Sequence, residues 1–356
     1  MMHLNERYSS SKFITGLRAY AALGVFLIHS RGMGLRNFSR ITDAIIDYGK
    51  YGVIIFFVLS AFTISMSVDS KDNFNPGSYL LQRFLRIAPM YYVALLVGFL
   101  IGANKYYLGY FHVDNDLKSL LLHLSFFNLF FVRYQNNIIG VEWTVPIEFL
   151  FYFVIPLAFF QMLKRPNLVP ILLILTAIIS VGSYKFYTQS SYADLQYNWS
   201  FFKYSFSFIF GIAVYFLYKK KIFFIDNPIY ANWTILLLFL VLFFYILMGF
   251  VYKDLFSTIW IGLLILVCQS RAIITRGIFE NTIVQYLGKI SYSIYLVHML
   301  VLTWLENKLT GFAYPCIALA ITISISSITY YLIEKPFIKL GKQFESRISL
   351  SVINIF

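Results

Sequence analysis

The chain has 356 residues, of which 59% are hydrophobic and only 13% charged, and its mean hydropathy of +0.71 excludes an ordinary soluble domain. Long apolar runs of helical length, without the alternating pattern of a barrel wall, make it an all-α polytopic membrane protein rather than an outer-membrane barrel. The formal charge of +13 comes with no nucleic-acid-binding motif, so it is read as cytoplasmic loops facing anionic lipid.

The first apolar stretch, TGLRAYAALGVFLIHS over Thr15–Ser30, reads as a membrane span that contains Arg18 and His29. An arginine at bilayer depth opposes insertion by roughly 2.5 to 3.5 kcal/mol, so a functional role is the default expectation. The two residues are eleven positions apart, which in a helix is three turns plus about 20° and a rise of about 16 Å. They therefore share a face, with Ala22 and Val25 between them, and this face is expected to line a narrow slot. The alternative is that Arg18 snorkels to the headgroups and His29 sits at the interface. Arg7 and Lys12 precede this span and no A-x-A pattern follows, so an uncleaved first helix is expected rather than a signal peptide.

About ten spans are expected, over 12–31, 50–68, 86–104, 143–163, 168–184, 203–218, 232–251, 255–270, 285–305 and 312–334. The stretch 117–133 is apolar but short and contains His123 and Asn128; it is an eleventh span or a re-entrant hairpin. Charge favours the hairpin. With both termini cytoplasmic and 117–133 not crossing, eighteen of the 29 Lys and Arg fall inside, including the clusters 164–165 and 219–221, as the positive-inside bias requires. The loop 31–50 is the basic exception on the outer side and is suited to an anionic partner. No polar stretch reaches the ~50 residues of a soluble domain, so residues 1–356 are read as one transmembrane domain. Cys268 and Cys316 lie in apolar spans and are read as packing residues, with no metal site.

Along the chain, Phe56–Phe62 (FFVLSAF) is an apolar helix segment. Asn75-Pro76-Gly77-Ser78 is a turn that launches the third helix. Arg83 and Arg86, at i and i+3, project from one face of that helix, either as a positive-inside pair or as two guanidinium groups suited to phosphate. Glu148, just inside the fourth span, demands a partner: a cation of the first helix, His29, or a sugar hydroxyl. Spans five to eight are rich in Ile, Leu and Phe and are read as scaffold. His298 lies within the ninth span, where a hydrogen-bonded structural histidine is the plain reading. His3, His112 and His123 receive no role. The tenth span ends at Ile333-Glu334-Lys335-Pro336-Phe337, where Pro336 is expected to stop the helix.

These segments carry a resemblance. Gly16-Leu17-Arg18 with a small apolar run ending in His29 resembles the Arg-x10-His motif of the integral-membrane acyltransferase family 3. FFVLSAF is similar to the family's FFVLSGF, with Ala61 in place of Gly, so a slightly looser helix contact is expected there. Arg83-x-x-Arg86 ahead of Pro89 resembles its RxxR motif. Glu142-Trp143-Thr144-Val145-Pro146-Ile147-Glu148-Phe149-Leu150-Phe151-Tyr152 resembles WSLSVEEQFY through Trp143, Glu148, Phe151 and Tyr152; Pro146 and the lack of a second adjacent acid depart from it. Leu287–His298 is close to GKISYSLYLIH, and Glu334–Phe337 resembles the ErPf ending.

The resemblance implies a membrane O-acyltransferase. It would move an acetyl group from cytoplasmic acetyl-CoA to a hydroxyl of a bacterial surface polysaccharide or its lipid-linked precursor, such as lipopolysaccharide O-antigen, in the inner membrane. Arg18, His29 and Glu148 are then the catalytic candidates, with His29 as general base or transient acyl carrier. Arg83 and Arg86 would hold the phosphates of coenzyme A, and Trp143, Tyr152 and His298 would contact substrate. Two other classes compete. A lipid-linked-sugar glycosyltransferase would place an acidic motif in a large first outer loop, where only Asp43 and Asp47 stand. A transporter or flippase would show paired, broken helices in both halves, and no such repeat is found.

Overall fold

The computed structural model describes residues 2–30, 36–71, 73–102, 116–187, 193–248, 252–270, 272–306, 308–309 and 313–353, with side chains from residue 12 to residue 344 in those ranges. Among the described residues every regular element is helical. Six helical stretches among the described residues are long and apolar enough to cross a membrane: Arg40–Asp69, Pro76–Ile101, Thr144–Lys164, Asp194–Lys219, Pro228–Met248 and Ala313–Phe344. A seventh is added if Lys253–Cys268 and Ile273–Phe279 form one bent span. The chain is therefore a polytopic membrane protein.

The difference from ten expected spans has physical causes. Helix α1, Met2–His29, is long but carries Lys12 and Arg18 and is not among the six. Leu168–Gly182 and Ser291–Leu305 have 15 residues each, a rise of about 22 Å, short of the ~30 Å hydrocarbon core. The span expected at 285–305 is broken at Ile290, between Thr282–Lys289 and Ser291–Leu305. The stretch 117–133, expected as a hairpin outside those ten, forms no helix of membrane length. It forms only Leu117–Leu124, capped by Asp116, and then breaks at Phe126 (φ 61°) into two 3-10 turns, Phe127–Phe130 and Val132–Tyr134.

Two compact units divide the chain. The first comprises residues 1–65, 158–186 and 202–292. Its centre is α1, against which α2 (Arg40–Tyr48), a 3-10 turn at Gly49–Tyr51 and the start of α3 (Gly52–Asp69) pack. Small residues let these backbones touch: a Cβ on Gly49 would overlap the carbonyl oxygen of Gly24, and one on Gly52 that of Ala21. On another side, a Cβ on Gly16 would overlap the carbonyl of Phe279, and one on Gly288 that of Thr15. Two of the motif segments are thus pressed together through their glycines.

The expected looseness at Ala61 is not found. Gly211 faces it, and a Cβ there would lie 2.7 Å from the Cβ of Ala61, so the small residue has moved to the partner helix. That partner is Phe201–Lys219, whose Tyr204 and Phe208 rings meet Phe57 at 5.0 and 4.7 Å and whose Tyr215 meets Phe62 at 5.7 Å. Pro228–Met248 is the most exposed candidate span, with 11% of its apolar window buried. Its Trp233, Leu237 and Phe244 are a surface for lipid rather than water.

The second unit comprises residues 66–157, 187–201 and 293–356. Helix α4, Pro76–Ile101, starts as the sequence predicts, with Asn75 Oδ1 accepting the Ser78 N–H at 3.0 Å. It packs along α5, Lys335–Ile353, where Gly341 faces Gln82. Pro336 does not stop the helix. The five residues before α5, Tyr330–Glu334, form a π turn in which the Lys335 N–H bonds Tyr330 O. That wider turn reaches the proline in a register where its missing N–H breaks no α-helical bond.

Candidate active site

In the first unit, Arg18 and His29 lie on one unbroken helix, so the eleven-residue interval and the shared face are kept. Arg18 Nη2 donates to Thr63 Oγ1 on α3 at 3.4 Å, and Thr63 in turn donates to Leu59 O at 2.8 Å. His29 is half-buried and is the last helical residue of α1. The face between them is less open than the sequence suggests. Ala22 and Val25 are 1% and 2% exposed, and Val25 packs on Gly52, so this stripe is part of the core.

In the second unit, Arg83, Glu148 and Tyr152 come together. The Tyr152 hydroxyl donates to Glu148 Oε1 at 2.9 Å. The Arg83 guanidinium lies over the Tyr79 ring at 5.4 Å and the Tyr152 ring at 5.8 Å, so two π faces bracket one cation. Its Nε is buried without a hydrogen-bond acceptor. Arg86, one turn further along α4, is in electrostatic reach of Glu334, whose carboxylate accepts the Ser293 hydroxyl; Thr329 Oγ1 donates to Ser293 Oγ at 3.0 Å. Arg83 is seven residues into α4, about 10 Å from its start, and Tyr152 is eight residues into Thr144–Lys164. The arginine pair is therefore sunk between helices, not displayed at a helix end.

Trp143 is half-buried immediately before Thr144–Lys164. His298 is fully buried, with Nδ1 3.1 Å from Ile294 O of its own helix and its ring 5.9 Å from Tyr295, consistent with the plain reading of a satisfied core histidine. Tyr295 does more. Its hydroxyl donates to Val141 O at 2.7 Å and accepts from Thr144 Oγ1 at 2.9 Å, clamping the backbone on both sides of Trp143.

Glu142 is the residue that sequence reasoning passed over. It is fully buried, and its carboxylate accepts four backbone N–H groups: Ile138 at 2.6 and Ile139 at 3.1 Å on Oε1, Gly140 at 2.6 and Val141 at 3.0 Å on Oε2. His123 Nε2 lies 3.5 Å from Oε1, a Coulombic contact too long for an ordinary hydrogen bond. Burial alone would push this carboxyl up, but His123 and the Ile138 N–H outweigh it and hold the group below the usual carboxylate range. The loop wraps on its own side chain, with Gly140 at φ 103°, a conformation suited to glycine. Asn136 Nδ2 bonds Gly140 O at 2.8 Å, and Asn137 Nδ2 bonds Ser119 Oγ at 2.7 Å. The available sequence signal was a carboxylate and two asparagines beside apolar runs, since buried polar groups need partners.

A model of the acyltransferase domain, Acyl_transf_3, matches residues 11–333. The chain is 27% identical over 305 residues to an acetyltransferase-named protein of Acidianus two-tailed virus, covering 84% of this chain and 86% of the other. It is 25% identical over 378 residues to a protein named as an O-acetyltransferase in Staphylococcus aureus strain COL, covering 94% of this chain but 59% of that longer one. An acyltransferase of Streptomyces mycarofaciens is 28% identical over 162 residues, 43% of this chain and 40% of its own. No solved structure matches the chain.

Proposed function

The chain belongs to the acyltransferase 3 family and is an acyltransferase, and from that premise we propose that it moves an acetyl group from cytoplasmic acetyl-CoA to a hydroxyl of a bacterial surface polysaccharide or its lipid-linked precursor. In this reading it lies in the inner membrane with both termini cytoplasmic, and 117–133 enters and leaves from the outer side. The transporter and glycosyltransferase readings lose their ground with the family assignment.

Arg83 carries the donor reading. A buried guanidinium N–H without an acceptor costs free energy that an incoming anion would recover, and Arg86 stands one turn away to bind a second oxygen. Paired guanidinium forks match phosphate oxygens, which suits the phosphates of coenzyme A. Glu148 and Tyr152 hold the bracket around Arg83 and so belong with donor binding as much as with proton transfer. On the acceptor side, neutral His29 takes the hydroxyl proton as the oxygen attacks the thioester carbonyl. The C–O bond forms, the C–S bond breaks, and the departing thiolate receives the proton back from the imidazolium. If His29 instead carries the acetyl group in transit, a C–N bond to the imidazole forms as the C–S bond breaks and the thiolate leaves with the imidazole proton; the C–N bond then breaks as the hydroxyl oxygen forms the C–O bond, and the hydroxyl proton returns to the imidazole.

The test is full-length protein in vesicles with labelled acetyl-CoA and lipid-linked oligosaccharide. Arg83→Ala should raise the acetyl-CoA KM by tenfold or more, and Arg83→Lys should restore only part of it, because the fork is lost. An unchanged donor KM in a folded variant refutes the donor assignment.

A further inference from the structure

Two helices of the first unit that the sequence reading treats as scaffold bury an ion pair. Lys203 Nζ lies 3.1 Å from Asp254 Oδ2, with the side chains 9% and 28% exposed. Lys203 stands in the first turn of Phe201–Lys219 and Asp254 in the first turn of Lys253–Cys268. The aspartate suits its helix N-terminus, but the lysine opposes the dipole of its own. A buried ammonium in that position is a poor choice for stability alone, since an apolar residue would avoid the desolvation, and ionisable groups inside membrane helices are by default functional candidates.

The pair lies at the His29 end of the unit, as the helix directions establish. Gly24 of α1 touches Gly49, and Ala21 touches Gly52, so α1 and α3 run antiparallel and the beginning of α3 is at the His29 end. Phe201–Lys219 runs alongside α3 in the same direction, with Tyr204 and Phe208 on Phe57 and Tyr215 on Phe62. Lys253–Cys268 also begins there: the Tyr48 hydroxyl and Ser257 Oγ are hydrogen-bonded at 2.6 Å. Aromatic rings surround the pair. Tyr245 stacks on Phe256 at 3.5 Å, Tyr48 meets Tyr51 at 4.5 Å, and Asp254 is in electrostatic reach of all three tyrosines.

We propose that Lys203 and Asp254, with Tyr48, Tyr51 and Tyr245, form an acceptor subsite that binds a hydroxyl-rich glycan ring. The partly exposed edge of Asp254 accepts hydrogen bonds from neighbouring hydroxyls, the ammonium donates to ring or hydroxyl oxygens, and a tyrosine face covers the C–H face of the sugar. The subsite rests on the reading of His29 as the group that meets the acceptor hydroxyl, and it stands at the end of the unit where that residue lies.

Full-length protein in vesicles, labelled acetyl-CoA and extracted lipid-linked oligosaccharide test it. Asp254→Asn and Lys203→Gln should each raise the acceptor KM roughly tenfold while the acetyl-CoA KM stays within about twofold. The reversed pair, K203D with D254K, should regain the thermal midpoint that the single variants lose, yet not the acceptor KM. Tyr245→Leu, which loses the stack on Phe256, should raise the acceptor KM with a midpoint within about 2 °C of wild type. A reversed pair that restores the acceptor KM together with stability overturns the subsite, because the pair is then only a brace; so does an acceptor KM unmoved in Tyr245→Leu and Asp254→Asn. If wild-type protein labels no glycan, the acceptor reading of the preceding section fails and the subsite with it, whereas labelled glycan with unmoved KM values removes the subsite alone.

Discussion

Glu142→Gln keeps the shape of the side chain and changes only what its terminal atoms can do. The carboxylate accepts two backbone N–H groups on each oxygen. A glutamine presents one oxygen and one NH2, so one pair of N–H groups faces a donor and loses its acceptor. Hydrogen bonds to a charged group contribute about 1.5 to 3 kcal/mol each, so losing two costs roughly 3 to 6 kcal/mol, a large share of the ~5 to 15 kcal/mol that holds a typical domain. At about 1.3 °C per kcal/mol for a chain of this length, the thermal midpoint of the detergent-solubilised protein should fall by roughly 4 to 8 °C. Acid adds a second signature. A carboxyl held below its unfolded value contributes stability that is fully present above the unfolded pKa of about 4.3 and is lost as the pH falls through the lower folded value. Wild-type protein should therefore lose midpoint on acidification below about pH 4 by an amount that Glu142→Gln no longer shows. A midpoint within a degree or two of wild type, with the same acid profile, would refute the account of this loop.

His29→Gln should abolish transfer at wild-type protein level and insertion, since it keeps hydrogen bonding but takes no proton, whereas His298→Gln should retain measurable activity; a working His29→Gln enzyme would pass the base role to another group. Gly288→Ala should lower the thermal midpoint, because its methyl would overlap the Thr15 carbonyl and overpacking costs about 1 to 3 kcal/mol; an unshifted midpoint would mean the helices part at no cost. Reporter fusions at Lys219–Lys221 should report a cytoplasmic location, and an external one would reverse the proposed topology.

What the sequence disclosed depended on the range of the interaction. The Asn75 cap, the helix carrying Arg18 and His29, and the RxxR face are local and were legible from spacing. Glu142 was not, because its partners are peptide N–H groups, which every residue supplies and no residue type announces. Lys203 and Asp254 are 51 positions apart in apolar spans, and nothing in either span says that the two will meet. Ala61 and Gly211 show the same limit from the other side: the glycine expected in one helix stands in the facing one. The ten-span count treated each apolar run as one helix, yet 285–305 divides at Ile290; the run 117–133, set apart from those ten as a hairpin on charge, folds into a short helix and two tight turns. The proline at 336 was read by the rule for α-helices, and the chain had entered a π turn before reaching it.

The glycine contacts of α1 have a consequence for what this chain tolerates in evolution. Backbone touches backbone at Gly24 and Gly49 and at Ala21 and Gly52, as it does at Gly16 and Phe279 and at Thr15 and Gly288 near the other end of the segment, so the rod is gripped along its length. Arg18 and His29 are then two marks on a fixed ruler. One residue inserted or deleted between them would turn His29 by about 100° and slide it by 1.5 Å, and it would also throw one set of glycines out of register. The interval from 18 to 29 can change in letters but not in length.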